Sequence, residues 1–366
     1  MKNYQEIYKA EQLPVFQNRM FSTETEAKSC PKGDLILVQD LDTGLIFNQA
    51  FQPELMDYDI DYQNEQSVSK VFQNHLNQVK EIIHQHFEGQ SLIEVGCGKG
   101  YFLEVLQEAG FQIYGLDPTY EGSNPNIIKN FFTLDIGIKG EGIILRHVLE
   151  HIPNPIEFCA KIRDTNGGGK IYIEVPCFDW ILKHRAWFDI FYEHINYFRM
   201  SDFYRMFDTI YESGYIFGEQ YLYVVADLNT LKIPVNDPND AIDFPEDFLD
   251  TVNGYANHLT SKSLQSAAVW GGASKGVIFS LFMQRLGAKI DIVIDINPAK
   301  QGKYLPATGI QVYPPEKGLK HLASGADIFV MNSNYLPEII DLTNNQYNYL
   351  TVDHGKLGQR TAGTNC

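Results

Sequence analysis

No run of 18 or more apolar residues occurs anywhere in the 366-residue chain, so the sequence predicts no membrane-spanning helix. The opening "MKNYQEIYKAEQLP" also lacks the apolar core of a secretory signal, and the expected compartment is the cytoplasm. Cysteine is scarce. Cys30, Cys97, Cys159, Cys177 and Cys366 are scattered with no C-x-x-C pair, which argues for free thiols rather than disulfides or a structural metal. Positive charge is scarce too: 29 Lys and Arg against 46 Asp and Glu leave a net charge of −17. That balance argues against nucleic acid or an anionic membrane as the main partner, since both reward positive charge. With 44% hydrophobic and 20% charged residues, the chain is expected to fold, and its length exceeds one ordinary core.

Apolar periodicity divides the chain. Residues 1–66 mix aromatics and prolines without a clean period. They read as an N-terminal extension of short strands, with a hairpin turning at Asp42-Thr43-Gly44. From Ser67, the residues Val68, Phe72, Leu76, Val79 and Ile82/Ile83 recur at helical spacing. Strand-like runs then alternate with helical ones: "SLIEV", "QIYGLD", "NFFTLD", "EGIILRHV" and "GKIYIEVP" are the expected strands. Apolar runs joined by helices imply a mostly parallel sheet covered on both faces, over residues 67–226. "YIFGEQYLYVVAD" should close it as an antiparallel hairpin. Residues 227–265 are rich in Asp, Asn and Pro before turning helical, and read as a linker and helix. The strand–helix pattern restarts over 266–366 as a second, smaller domain. The predicted class is α/β: a Rossmann-like domain with a mostly parallel sheet, a smaller Rossmann-like C-terminal domain and a short N-terminal extension.

The loop "IEVGCGKGYFLEVL" follows a buried strand and opens a helix, with Gly96, Gly98 and Gly100 spaced by two. Glycine is needed where backbone turns tightly and meets a ligand. A dinucleotide would place its pyrophosphate here. Glu94, at the strand end, would repel that anion and suits a ligand with an amino group, such as the methionine moiety of S-adenosylmethionine. Asp117, in "GLDP" with Pro118, can accept two hydrogen bonds from a ribose diol. Asp135 was the expected end of the third strand and a partner for the adenine amine. Arg146 and His147, in "RHVLEHIPNP", follow the fourth strand and are candidates for lining the transfer site; His151 reads more simply as a turn histidine. This loop and its acids resemble class I methyltransferases, whose E/D-x-G-x-G-x-G motif is matched in full. Tyr62, in "DYQNEQS", precedes the long helix and could fold over the cofactor as a lid.

"FDIFYEHINYF" places Glu193 and His194 among aromatics. Read alone, the pair is either a turn beside a core strip or an acid–base pair in an apolar pocket. A histidine of ordinary pKa is suited to proton removal near neutral pH, and aromatic surroundings disfavour its protonated form. A second glycine turn, "VWGGASKG", carries Lys275, which could contact a phosphate.

"VIDINPAKQGKYLPATGIQVYPPE" is more telling. With "IEVP", "EHINYF" and, more loosely, "GLIFNQAF" and "DYQNEQSVS", it resembles the sugar C-methyltransferase family over residues 12–340. The resemblance implies S-adenosylmethionine as cofactor and a nucleotide-linked ketosugar held between two domains. It further implies a histidine base, in a Y-x-E-H run, that removes the proton next to the ketone. Carried over here, His194 is the base, Glu193 an orienting or second acid–base group, and Tyr192 or Tyr197 a substrate contact. The chain departs from the family in two ways. Only Cys30 stands where paired cysteines would build an N-terminal zinc site, so no metal is expected. Phe191 stands where the motif has tyrosine, and Tyr192 could supply the missing hydroxyl. O- or N-methylation, an NAD-dependent dehydrogenase and a non-catalytic cofactor binder stay open at this stage, as do monomer and homodimer.

Overall fold

The computed structural model describes residues 3–56, 66–262 and 266–354; Tyr62 lies outside them. The N-terminal residues form an antiparallel sheet of β1 (Tyr4–Pro14), β2 (Lys32–Asp40) and β3 (Ile46–Asn48), with helix α1 (Glu24–Lys28) between β1 and β2. The expected hairpin is present, and Gly44 closes it by donating its N–H to the Asp40 carbonyl at 2.7 Å. Helix α2 (Lys70–Phe87) starts just beyond Ser67 because Ser69 caps it, its hydroxyl accepting from the N–H of Val71 (3.1 Å) and Phe72 (3.4 Å). Phe72, Leu76, Val79, Ile83 and Phe87 form its buried stripe.

The middle domain carries β4 (Ser91–Val95), α3 (Tyr101–Glu108), β5 (Gln112–Leu116), β6 (Ile127–Ile128), β7 (Gly142–Arg146), α4 (Pro155–Asn166) and β8 (Lys170–Pro176). After α5 (Phe178–His184), β9 (Asn196–Tyr197) and α6 (Met200–Met206) come β10 (Ile210–Ile216) and β11 (Tyr221–Asp227). The sheet order is β10-β11-β8-β7-β4-β5-β6, with β4 to β8 parallel and the β10–β11 hairpin antiparallel. One expected strand is absent. "NFFTLD" is a loop ending in a 3-10 turn at Leu134–Ile136, because Ile127 and Ile128 already occupy the edge of β5. Phe131 and Leu134 are left exposed. Short β9 does not join this sheet. It pairs with β3, extending the N-terminal sheet to β1-β2-β3-β9.

The third unit comprises α7 (Asp250–Ser261), β12 (Ala267–Trp270), α8 (Ser274–Arg285), β13 (Ile292–Ile294), β14 (Val312–Tyr313), α9 (Pro315–Gly318), β15 (Asp327–Val330), α10 (Leu336–Leu342) and β16 (Asn348–Thr351). Its five strands are all parallel, in the order β14-β13-β12-β15-β16. Trp187 of the middle domain stacks on Phe279 of α8 at 5.8 Å, and Phe21 bridges Tyr304, so all three units share packing. Among the described residues no helix is long and apolar enough to cross a membrane.

In each parallel sheet the strand order reverses beside the first strand: between β4 and β7 in one, between β12 and β15 in the other. Open α/β sheets bind ligands at such switch points, beyond the carboxyl ends of the strands. At the second switch point α8 lies very close to the loop after β12. A Cβ at Gly276 would stand 1.9 Å from the Gly271 carbonyl oxygen, a backbone atom that cannot yield cheaply. Gly276→Ala is expected to lower the melting temperature by about 5 °C or more; scanning calorimetry on the full chain checks this, and an unchanged midpoint contradicts the close approach.

Candidate active site

Both switch points open into one cavity of about 350 Å³. From the middle domain it is lined by Glu94, the loop Gly96–Lys99, Arg146, His147, Glu150 and His151. From the C-terminal domain come Trp270, Ser274, Lys275, Asp295, Lys300 and Asn332. Phe191, His194 and Asp189 form the wall between them.

The glycine loop is built as its sequence requires. Gly96, Gly98 and Gly100 have φ of 75°, 56° and 84°, a left-handed backbone that other residues adopt only with strain. At Gly96 a Cβ would meet Val148 at 2.5 Å, whereas at Gly98 it would point into open space. Glu94 lies buried beneath the loop and its Oε2 has no hydrogen-bond partner among the described residues. Burial pushes its pKa up to about 8. An orphaned carboxylate under a bare backbone loop fits the amino end of a cationic cofactor, and S-adenosylmethionine fits this donor set.

Two acids assigned to the cofactor by sequence are not among the residues that line the cavity. Asp117 is buried and braces the loop, accepting from the Gly98 N–H (2.8 Å) with one oxygen and from the Thr119 N–H (2.8 Å) and hydroxyl (2.7 Å) with the other. Neither Asp117 nor the exposed Pro118 lines the cavity. Asp135 is exposed in its 3-10 turn, away from the cavity, since the strand expected to carry it does not form.

Glu174 at the end of β8 is fully buried and organises the cavity floor. Its carboxylate accepts from Arg146 Nε (3.1 Å), Arg146 Nη2 (3.3 Å) and the Tyr172 hydroxyl (2.9 Å), and pairs with His75 Nε2 (2.9 Å) and His147 Nε2 (3.0 Å). Burial opposes its ionised form, but Arg146 and His75 lead the groups that hold its pKa well below the usual carboxylate range. His147 has a left-handed backbone, φ 52°, and a carboxylate at each ring nitrogen, with Glu150 Oε1 3.4 Å from Nδ1. Burial works against its charge, yet Glu150 and Glu174 raise its pKa to about 9. Sequence reasoning quoted "IEVP" without giving Glu174 a role; the available signal was an acid inside an otherwise apolar, doubly covered strand.

The Phe191–His194 segment is a tight turn rather than a strand. The His194 N–H donates to the Phe191 carbonyl at 3.2 Å, so the first and last side chains of the turn lie together and the middle two leave on the other side. Phe191 and His194 both line the cavity with ring centroids 4.1 Å apart. Burial, followed by the neighbouring His151, His147 and Lys275, depresses the His194 pKa well below the ordinary imidazole range. Glu193 points into the N-terminal unit, where it is fully buried and accepts from the N–H groups of Gln17 and Asn18. Tyr192 does the same: its hydroxyl accepts from the Gln52 N–H at 2.9 Å. The Tyr197 hydroxyl accepts from the Phe191 N–H (3.0 Å) and donates to the Phe191 carbonyl (3.1 Å). None of Tyr192, Glu193 and Tyr197 lines the cavity. The Tyr192 hydroxyl is held by Gln52 and that of Tyr197 by the Phe191 backbone, so in this structure both side chains fix the turn. His151, read from sequence as a turn histidine, does reach the cavity. Its Nδ1 donates to the Glu193 carbonyl at 2.8 Å, and its ring lies 5.0 Å from that of His194. Lys275 also lines the cavity, with Nζ 3.0 Å from Asp189 and 2.8 Å from Gln220 Oε1.

The charge on His147 gives stability a definite pH dependence. Its folded pKa, about 9, exceeds the ordinary 6.5, so its stabilisation is complete below about 6.5 and lost as pH rises through about 9. Glu94, raised from 4.5 to about 8, favours the folded state at low pH and so adds a slope of the same sign. The melting temperature should fall between pH 6.5 and 9, and His147→Gln should flatten that fall; an identical slope in the variant contradicts the carboxylate clamp.

The family described as "Methyltransferase domain" matches residues 60–210, and that described as "C-methyltransferase C-terminal domain" matches residues 236–346. The chain is 23% identical over 292 residues to C-methyltransferase NovU of Streptomyces niveus, with 69% of each chain covered. Solved structures resemble it more weakly. A SAM-dependent methyltransferase from Archaeoglobus fulgidus shares 17% identity over 43% of this chain and 100% of its own, with a TM-score of 0.32. Magnesium protoporphyrin IX methyltransferase from Synechocystis PCC 6803, crystallised with SAM, shares 15% over 43% and 79%, with a TM-score of 0.32. The two matched domains, which between them hold most of the cavity wall, make this chain an S-adenosylmethionine-dependent C-methyltransferase.

Proposed function

We propose that the enzyme methylates a carbon next to the ketone of a nucleotide-activated sugar, with His194 as the general base. The observation that carries this reading is the turn at 191–194, which sets a neutral histidine on the cavity wall between the two domains. When bound, S-adenosylmethionine supplies a sulfonium-activated methyl group, which needs a nucleophile with an available electron pair. Glu94 and the Gly96–Gly100 loop would hold its amino end, with Asp117 keeping the loop in shape. His194 takes the α-proton of the acceptor onto a ring nitrogen, leaving an enolate whose carbon is the nucleophile. Depression of its pKa keeps the imidazole neutral and ready to accept. Phe191 packs on the ring and excludes water from one face. Lys275 sits at the start of α8, where the helix end and the ammonium together favour the diphosphate of a nucleotide-sugar. The likeness to NovU, a C-methyltransferase, supports carbon as the methylated atom, and the sugar acceptor rests on the C-terminal motif described above.

His194→Asn should lower kcat by roughly 100-fold or more and leave cofactor affinity nearly unchanged. It should also abolish exchange of the acceptor's α-proton with deuterated water when no methyl donor is present. Unimpaired turnover removes His194 from the role of base. For the cofactor, binding at pH 7 should release a proton, because Glu94 is neutral below about 8 in the free protein and an ammonium ligand requires its ionised form. Calorimetry in two buffers of different ionisation enthalpy measures that release. Glu94→Gln should eliminate it and weaken binding about 10-fold; equal proton release in both proteins would refute the placement.

A further inference from the structure

Removing a proton from the carbon next to a ketone needs two groups. One is a base at the carbon; the other is a positive charge or donor at the oxygen, where the charge of the enolate collects. His194 serves as the first, and a candidate for the second stands on the same wall.

His147 lines the cavity with 24% of its side chain accessible. It follows directly on β7 with φ 52°, a left-handed backbone that is costly for any residue with a Cβ. Its N–H donates to the Glu174 carbonyl at 2.9 Å, and its Nε2 lies 3.0 Å from the Glu174 carboxylate. Nδ1 stands 3.4 Å from Glu150 Oε1. Burial opposes charge on this ring, but Glu150 and Glu174 outweigh it and raise its pKa to about 9, so both ring nitrogens carry hydrogen at neutral pH. Neither Glu150 oxygen has a hydrogen-bond partner among the described residues. The contact at Nδ1 is therefore an ion pair, and the Nδ1–H keeps its capacity to donate. A Glu150 oxygen also lies within 4.8 Å of a ring nitrogen of His194, so His147 and His194 flank the same carboxylate. An α-hydrogen and the carbonyl oxygen belong to one short unit, H–Cα–C=O, and two groups this close can serve both ends of it.

The neighbouring cations are less suited. Arg146 is 9% accessible and uses Nε and Nη2 on Glu174. Lys275 is tied to Asp189 and Gln220.

We propose that His147 is a catalytic residue that stabilises the enolate, donating from Nδ1 to the acceptor's carbonyl oxygen while His194 removes the α-proton. Glu150 and Glu174 are positioning residues that hold the ring and its charge in place. The proton passes to His194, and the electron pair of the broken C–H bond enters the enolate. The charge on oxygen rests against His147 until the carbon takes the methyl group and the ketone is restored. His147 keeps its own proton throughout. This role rests on the ketone acceptor proposed above.

The probes are the uridine and deoxythymidine diphosphate esters of a 6-deoxy-4-ketohexose. The variant is His147→Asn, because asparagine tolerates a left-handed backbone. Without methyl donor, the variant should exchange the probe's α-proton with deuterated water roughly 100-fold more slowly than the wild type. In the methylation assay kcat should fall about as far, with KM within about twofold of the wild type. Affinity for S-adenosylhomocysteine, measured by calorimetry, should be unchanged. The isotope effect of a probe deuterated next to the ketone should rise, since proton removal becomes the slower step. Partial unfolding would lower the rate and leave that effect unaltered, so the test stays valid in a variant that is only partly folded. Unchanged exchange, an unaltered isotope effect or a weakened cofactor affinity overturns the role of His147 alone. Absence of exchange in the wild type with both probes overturns the ketone acceptor and this role with it, so the two failures are separately visible.

Discussion

The active cavity depends on one buried carboxylate, that of Glu193. The carboxyl group has left water entirely: Oε1 accepts from the backbone N–H groups of Gln17 and Asn18, and Oε2 from the Asn18 side-chain amide at 3.4 Å. Breaking these bonds would leave buried polar groups without partners, which costs the full desolvation penalty. The carboxyl group fastens the Phe191–His194 turn to the N-terminal unit from one side. β9, paired with β3, fastens the following residues. The Ile195 N–H donates to the Glu150 carbonyl at 2.8 Å, which ties the same segment to the loop after β7. Three attachments in three directions leave His194 little freedom, which the proposed role of base would require.

This arrangement gives the N-terminal residues a structural role. They form the sheet that receives β9 and supply the N–H groups that hold Glu193. The same residues reach the C-terminal domain through the Phe21–Tyr304 bridge and through the Ala307 N–H, which donates to the Ala27 carbonyl at 2.9 Å. The cavity is therefore enclosed by contributions from three units, and each parallel sheet directs one switch point into it. Charge is distributed accordingly. Acidic side chains, Glu94 and Glu150, line the cavity on the middle-domain side, and Lys275 and Lys300 line it on the C-terminal side.

Much of this architecture was legible in the sequence because it depends on local pattern. Runs such as "SLIEV", "GIILR" and "KIYIEVP" are apolar on both faces and could only be central strands. Gly96, Gly98 and Gly100 required a left-handed loop. The failures were non-local. "NFFTLD" had the composition of a strand, but the edge it would have joined was taken by Ile127 and Ile128. Tyr192 had a hydroxyl one position from the motif's tyrosine, but a turn directs residues 192 and 193 away from 191 and 194. Glu174 and His75, 99 residues apart, meet at 2.9 Å, and no spacing announces such a pair.

The amino-acid sequence alone determined which segments are strands and helices, where backbone must be bare and which cofactor charge the loop could accept. These follow from periodicity, from glycine's conformational freedom and from the sign of Glu94, all properties of a few adjacent residues. Tertiary structure decided which member of the Glu193-His194 pair faces the cavity, which carboxylates are neutralised and which imidazoles carry charge. Those outcomes depend on burial and on partners distant in the chain, because desolvation and ion pairing act through space and not along the backbone.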